Sequence, residues 1–215
     1  MTVLFDERPV GNWEMKLYSW AISMPEPKTS YISVPGRDGD LDFTQSLDGT
    51  VRYNNRSVSL ALSLNGDYEK WFTTIQDFSA FLHGRKRKLI FSDDPNHYYL
   101  GRFTIDPIKD NQVIGDISVS GICDPYKYKT EKTVVESDVS GSTQVTLTNE
   151  GMPAVPKITA DAQMQLVFTL DGTEHTVTVG AGTQLVPDLL LQAGTYEVTV
   201  NGTGHVKFEY QEGAL

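Results

Sequence analysis

The chain has 215 residues, 39% apolar and 10% aromatic, enough to bury a core in one large or two modest domains and unlike a disordered polymer. Its formal net charge is −10, unevenly spread: residues 1–133 hold sixteen Lys/Arg against eighteen Asp/Glu, whereas residues 134–215 hold only Lys157 and Lys207 against ten acids. Neither part has the cationic surplus that phosphate neutralisation needs, which argues against a nucleic-acid-binding domain, and the asymmetry argues for two units. The start, "MTVLFDERPVGNW", shows no basic segment followed by an apolar run, and no stretch is long and apolar enough to span a membrane, so neither a signal peptide nor membrane insertion is expected. Cys123 is the only cysteine; it reads as a small buried apolar residue, in a protein made in a reducing compartment.

In chain order, "KLYSWAISM" and "TSYISV" read as strands from their β-branched and aromatic content. Then "VPGRDGDLDFTQSLDGTVRYNNR" (34–56) interrupts with a polar, Gly- and Pro-punctuated excursion far longer than a hairpin turn. "TVRYNNRSVSLALSL" returns to strand character. In "NGDYEKWFTTIQDFSAFLHG" the apolar residues Tyr68, Trp71, Phe72, Ile75, Phe78 and Leu82 fall at the spacing of one helical face, with Asp67 as N-cap and Gly84 as stop. One amphipathic helix thus covers one sheet of a β-rich first domain, continued by "RKLIFS", "YYLGRFTID" and "GDISVSGIC". A polar stretch near 130–142 reads as a linker, dividing the chain into 1–133 and 134–215. From Gln144 onward, short strands with turns every eight to twelve residues predict an antiparallel β-sandwich. The fold class is mainly β: a β-sandwich-type domain with one helix and a projecting segment, followed by a second β-sandwich.

Residues with chemistry to offer are few. Asp93, Asp94 and His97 lie within five positions and suit a metal or an acid/base pair, but a turn before a strand is the plainer reading. Arg85, Lys86, Arg87 and Lys88 form a basic run just past the helix, where cations complement its dipole; phosphate or DNA contact is the sharper reading. His175 and His205 read as surface or satisfied residues. "NRS" at Asn55 and "NGT" at Asn201 match a glycosylation acceptor without a secretory context. No nucleophile elbow, phosphate loop, His-Glu-x-x-His or dinucleotide fingerprint occurs, so no enzyme, metal or cofactor is expected.

Several motifs in order carry a resemblance: "PGRDGDLD" at 35–42, "YNNR" at 53–56, "FLHGRKRKLIF" at 81–91, "DDPNHYYLGRF" at 93–103, "CDPYKY" at 123–128, and the ending "FEYQEGAL". Together they make the chain similar to the distal tail protein family of siphophages and related prophages. The resemblance implies a virion protein at the tail tip, made in the bacterial host cytoplasm. It implies a homo-oligomer, a hexameric ring joining the tail tube protein to the tail-associated tip protein, with DNA passing through its channel. It also implies that the second domain is an outward β-sandwich similar to galectins and carbohydrate-binding modules, a platform for a receptor-binding protein.

Such proteins carry a hairpin arm lying on the neighbouring subunit. The excursion at 34–56 fits that arm, with Gly36, Arg37, Asp38, Gly39, Asp40, Leu41, Asp42, Arg52 and Arg56 expected at the subunit interface. The basic run Arg85–Lys88 is assigned to the channel or an interface. Two rivals stand beside this reading. A carbohydrate-binding module or lectin would need exposed aromatics in the second domain, which has only Phe168, Tyr196, Phe208 and Tyr210, all in strand-like runs. A tail-associated hydrolase would need paired carboxylates, and no pair can be named.

Overall fold

The computed structural model describes residues 1–46, 49–65, 67–106, 109–110 (backbone only), 115–170 and 172–215. Its contacts divide the chain into Met1–Lys127 and Tyr128–Leu215.

The first unit contains β1 (Val3–Phe5), β2 (Arg8–Pro9), β3 (Met15–Ile22), β4 (Tyr31–Ile32), β5 (Leu41–Asp42), β6 (Arg56–Leu64), α1 (Trp71–Leu82), β7 (Arg85–Phe91), β8 (Asp94–Ile105), β9 (Lys109–Asp110) and all but the last two residues of β10 (Gly115–Lys129). One antiparallel sheet runs in the order β2-β1-β7-β8-β10-β6-β3, with β9 added beside β10. It curls strongly: the ring of Trp20 on edge strand β3 lies 5.4 Å from that of Phe91 on β7, tilted to it, although the two strands are well apart in that order. Two glycines permit the close strand approach. A Cβ at Gly101 would lie 2.4 Å from Cys123 Sγ, and one at Gly121 would lie 2.5 Å from Phe103. Alternation does the rest: in "RSVSLALSL" the residues at 56, 58, 60, 62 and 64 point inward and the serines outward. Cys123 is buried as expected, and burial pushes its thiol up to about 12.

The helix lies where its spacing predicts, with Trp71, Phe78 and Leu82 buried. Phe78 packs on Phe5 and Trp13, and Phe5 in turn meets Phe103 edge-on at 5.1 Å. Two details differ from expectation. Phe72 is 75% exposed, because one residue's step turns it about 100° from Trp71 around the axis. Asp67 does not cap α1; a short 3-10 turn at Tyr68–Lys70 intervenes, and its carboxylate pairs with Lys70 Nζ at 3.0 Å. Beyond the helix, Gly84 (φ +71) makes the turn into β7, where its amide donates to the Phe103 carbonyl.

The second unit contains β11 (Thr133–Asn149), β12 (Lys157–Ala160), β13 (Met164–Leu170), β14 (Thr173–Val179), β15 (Gly182–Leu185), β16 (Gly194–Tyr210) and β17 (Gly213–Ala214). The supposed linker at 130–142 is mostly strand: β11 pairs along its whole length with β16, from Thr133↔Tyr210 to Asn149↔Gly194. Near its middle Gly141 (φ +86) faces Gly202 (φ +152), two residues from Gly204 (φ +138), left-handed backbone that suits glycine. On its other edge, β16 pairs with β13 through Val198–Asn201 and with β12 through Val206–Glu209, so all six strands form one sheet in which β16 is the common strand. Strands β14 and β15 complete it beside β13 and β12. Leu147, Leu166, Phe168 and Val200 from one half pack into a single core with Ile158, Val206 and Phe208 from the other.

The beginning and end of this unit are tied by Glu212, which is almost wholly buried and accepts hydrogen bonds from Lys129 Nζ (2.9 Å), the Glu150 amide (3.0 Å) and the Thr133 hydroxyl. Burial pushes its carboxyl up, but these donors outweigh burial and hold it below the ordinary glutamate value.

Candidate functional site

Strands β3 and β6 do not end in a tight turn. The chain runs outward from Ser23 and returns at Ser57 as a hairpin-like projection. At its root the Ser23 amide donates to the Ser57 carbonyl (3.0 Å) and the Ser57 amide to Ser23 Oγ (2.9 Å). Further out, the Asn54 amide donates to Glu26 O, Pro27 bridges Tyr53, and the Lys28 amide donates to Arg52 O at 2.7 Å. Beyond that, β4 and β5 pair Tyr31 with Asp42 and Ile32 with Leu41. The tip turns at Val34–Arg37 and Gly39, with positive φ at Gly36 (+82) and Gly39 (+73). Asp42 Oδ1 accepts the Thr44 amide at 2.8 Å, and hydrogen bonds from the Thr44 hydroxyl and amide hold its carboxyl below the usual range.

The arm is ordered by its backbone but buries almost nothing. Pro25 is its one buried residue between Ser23 and Asn55 among those described. Tyr31 (58% exposed), Ile32 (50%), Met24, Val34 and Phe43 all present apolar surface to solvent. Sequence reasoning started the arm at Val34; the outgoing limb from Ser23 was missed, because "TSYISV" has strand composition. Gly36, Arg37, Asp38, Gly39 and Asp40 lie at the tip, Leu41 and Asp42 on β5, and Arg52 on the returning limb.

Arg56 is different. It is the first residue of β6 and 3% exposed, so it belongs to the body and not to the solvent-facing arm. Its Cζ lies 5.5 Å from the Tyr99 ring centroid, and its Nε and Nη2 are buried without a hydrogen-bond partner. The parity that puts Val58, Leu60 and Leu62 inside also applies to Arg56, a signal available in the sequence.

The basic run is mostly occupied. Arg87 donates to Asp6 Oδ2 (2.7 Å) and to the Phe81 carbonyl in the last turn of α1, with its Cζ 4.1 Å over the Phe81 ring. Lys86 lies 3.6 Å from Asp124, Lys88 sits over Tyr98, and Arg85 is exposed. Asp94 bridges His97 Nδ1 and Lys127 Nζ, both at 2.7 Å; burial raises its carboxyl, and these two partners more than reverse that. Asp93 accepts from Ser92 Oγ. Among the described residues no three His, Cys, Asp or Glu side chains gather as a metal site would require. In the second unit Phe168, Phe208 and Tyr210 are buried, and Tyr196 is half-buried with its hydroxyl accepting the Gln192 amide. Among the described residues that unit exposes no large aromatic surface for stacking a sugar.

Residues 17–120 match the family described as Phage tail protein RIFT-related domain. Among solved structures, the SPP1 Dit (gp 19.1) protein, described as a paradigm of the hub adsorption apparatus in phages infecting Gram-positive bacteria, is similar to this chain. The TM-score is 0.68 at 17% identity, covering 100% of this chain and 99% of that one. No match among curated proteins is found.

Proposed function

We propose that this chain, a phage tail protein by its RIFT-related domain at residues 17–120 and of the distal tail fold along its whole length, assembles head to tail into a closed ring at the tip of a siphophage or prophage tail. The ring has six copies and joins the tail tube protein to the tail-associated tip protein. The second unit is its platform for a receptor-binding protein. The role is structural, with DNA passing through rather than binding.

The observation that carries this reading is the arm. A backbone-ordered projection that exposes Met24, Tyr31, Ile32, Val34 and Phe43 has no internal reason to hold its shape, and an apolar surface of that kind finds its reason in a partner. A contact between an arm and a different surface of the next copy is heterologous, and such contacts close into rings when the rotation permits. Electron micrographs of the purified chain should show rings with a central opening. A field of monomers or two-fold dimers would sink the proposal.

A further inference from the structure

Resting on that ring reading, we propose that the tip of each arm docks in the open end of the next copy's curled sheet, where Arg56 receives the carboxylate of Asp38 or Asp40. The acceptor is a cavity of about 300 Å³ lined by Trp20, Ile22, Phe91, Tyr99, Asp93 and Asp94; Arg56 does not itself line it but lies against its Tyr99 wall. Tyr99 belongs to both features: it lines the cavity, and its ring carries the Arg56 guanidinium.

Two unsatisfied needs match across this contact. A guanidinium keeps its proton, so a buried one with Nε and Nη2 unpartnered is costly until an anion reaches it. The arm tip, "PGRDGDLD", carries Asp38 and Asp40 exposed, while Asp42 is engaged by Thr44. Asp93 and Asp94 line the cavity and disfavour the tip aspartates, so the tip's own Arg37 must offset them. Asp94 is already paired with Lys127 and His97, which leaves Asp93 as the carboxylate to meet Arg37 beside the two tip aspartates. Apolar walls suit the apolar side chains that the arm exposes at Ile32 and Val34. The cavity includes Ile22, the last residue of β3 before the arm begins, so each arm springs from beside the cavity that its neighbour fills. That is a head-to-tail arrangement in which donor and acceptor surfaces differ.

The test is a double-mutant cycle on the full chain, reading thermal stability of the dissociated protomer and the midpoint concentration of assembly. Arg56→Met removes the charge at similar volume. It should leave the protomer as stable as wild type or more so, yet raise the assembly midpoint at least tenfold. Asp38→Asn with Asp40→Asn should raise the midpoint similarly with unchanged protomer stability. All changes together should do no worse than either set alone. If Arg56→Met does not fold, Arg56→Gln serves in the same cycle. Assembly at wild-type concentration in either set overturns the proposal, as do losses that simply multiply. So does a protomer that inorganic phosphate stabilises through Arg56 while the arm variants assemble normally, since the occupant is then a free anion. A wild-type chain that stays monomeric removes the ring reading itself, a different failure from wild-type rings indifferent to these residues.

Discussion

The molecule contains two long antiparallel ribbons of similar composition and opposite energetics. The β11–β16 ribbon and the arm from Ser23 to Ser57 are both polar, punctuated by glycine and held by cross-strand backbone bonds. In the first, every second residue of at least one strand along most of its length faces a core: Val139, Val145 and Leu147 on β11, and Val198, Val200, Val206, Phe208 and Tyr210 on β16. In the second, Pro25 alone is buried between Ser23 and Asn55 among the described residues. Backbone pairing is common to both, so pairing is not what separates them. Burial of one face is what makes a ribbon part of its own domain, and a ribbon without it is stabilised by whatever it lies against.

The comparison breaks most sharply in the cores. Leu147→Ala should cost the second unit about 2–5 kcal/mol, the range for emptying a fully buried leucine site, read as a drop in its denaturant midpoint. Ile32→Ala in the arm should move protomer stability by less than about 0.5 kcal/mol, as for other exposed positions.

Glycines sharpen it next. A Cβ at Gly204 would lie 2.1 Å from Asp161 Oδ1, which also accepts the His205 amide, so Gly204→Ala should cost about 2 kcal/mol or more. At Gly36 a Cβ meets nothing within 4 Å, leaving only the strain of φ +82, about 1 kcal/mol and confined to the arm. Equal losses at the two positions would mean that the arm is part of a packed structure.

A pH scan probes the ribbon's ends. Glu212 has a folded pKa below its ordinary value of 4.5, so its contribution is fully present above that pH and is lost as pH falls through the folded value. Thermal unfolding of the second unit should therefore weaken below about pH 4.5, and Glu212→Gln should flatten that dependence while lowering stability at neutral pH by about 1–3 kcal/mol. The arm offers a contrast: Thr44 lowers the Asp42 carboxyl too, but Asp42 is fully in solvent, so Asp42→Asn should leave the shape of the protomer's pH–stability curve close to wild type.

Much of this was legible in the sequence, for identifiable reasons. The helix announced itself by spacing, and "RSVSLALSL" by alternation, because burial of one face imposes a period on the residues. Where neither face or only part of one is buried, the period fades. Thr133–Ser142 alternates only weakly and carries Gly141, so it reads as a linker although every residue of it is paired. The outgoing limb of the arm failed in the opposite sense: Tyr31 and Ile32 have strand composition, which says nothing about whether the strand has anything to cover. Arg56 was grouped with the exposed arm residues by its neighbours in "YNNR", while its parity with Val58 and Leu60 placed its side chain inside. The aromatic wall joins Trp20 on β3 to Phe91 and Tyr99 on the distant strands β7 and β8, and no local pattern reports that meeting.

The central claim is that the arm holds copies of this chain together while contributing little to the fold of any one of them. Native mass spectrometry of the full chain, beside a variant with residues 38–49 replaced by a short glycine turn, tests it most directly. Shortening a loop changes closure entropy by only about 1 kcal/mol or less, so the variant protomer should fold. Wild type should appear as a closed oligomer of six and the variant as monomer with the wild-type circular dichroism spectrum. A monomeric wild type at high micromolar concentration, or a variant that assembles as wild type does, would contradict the account.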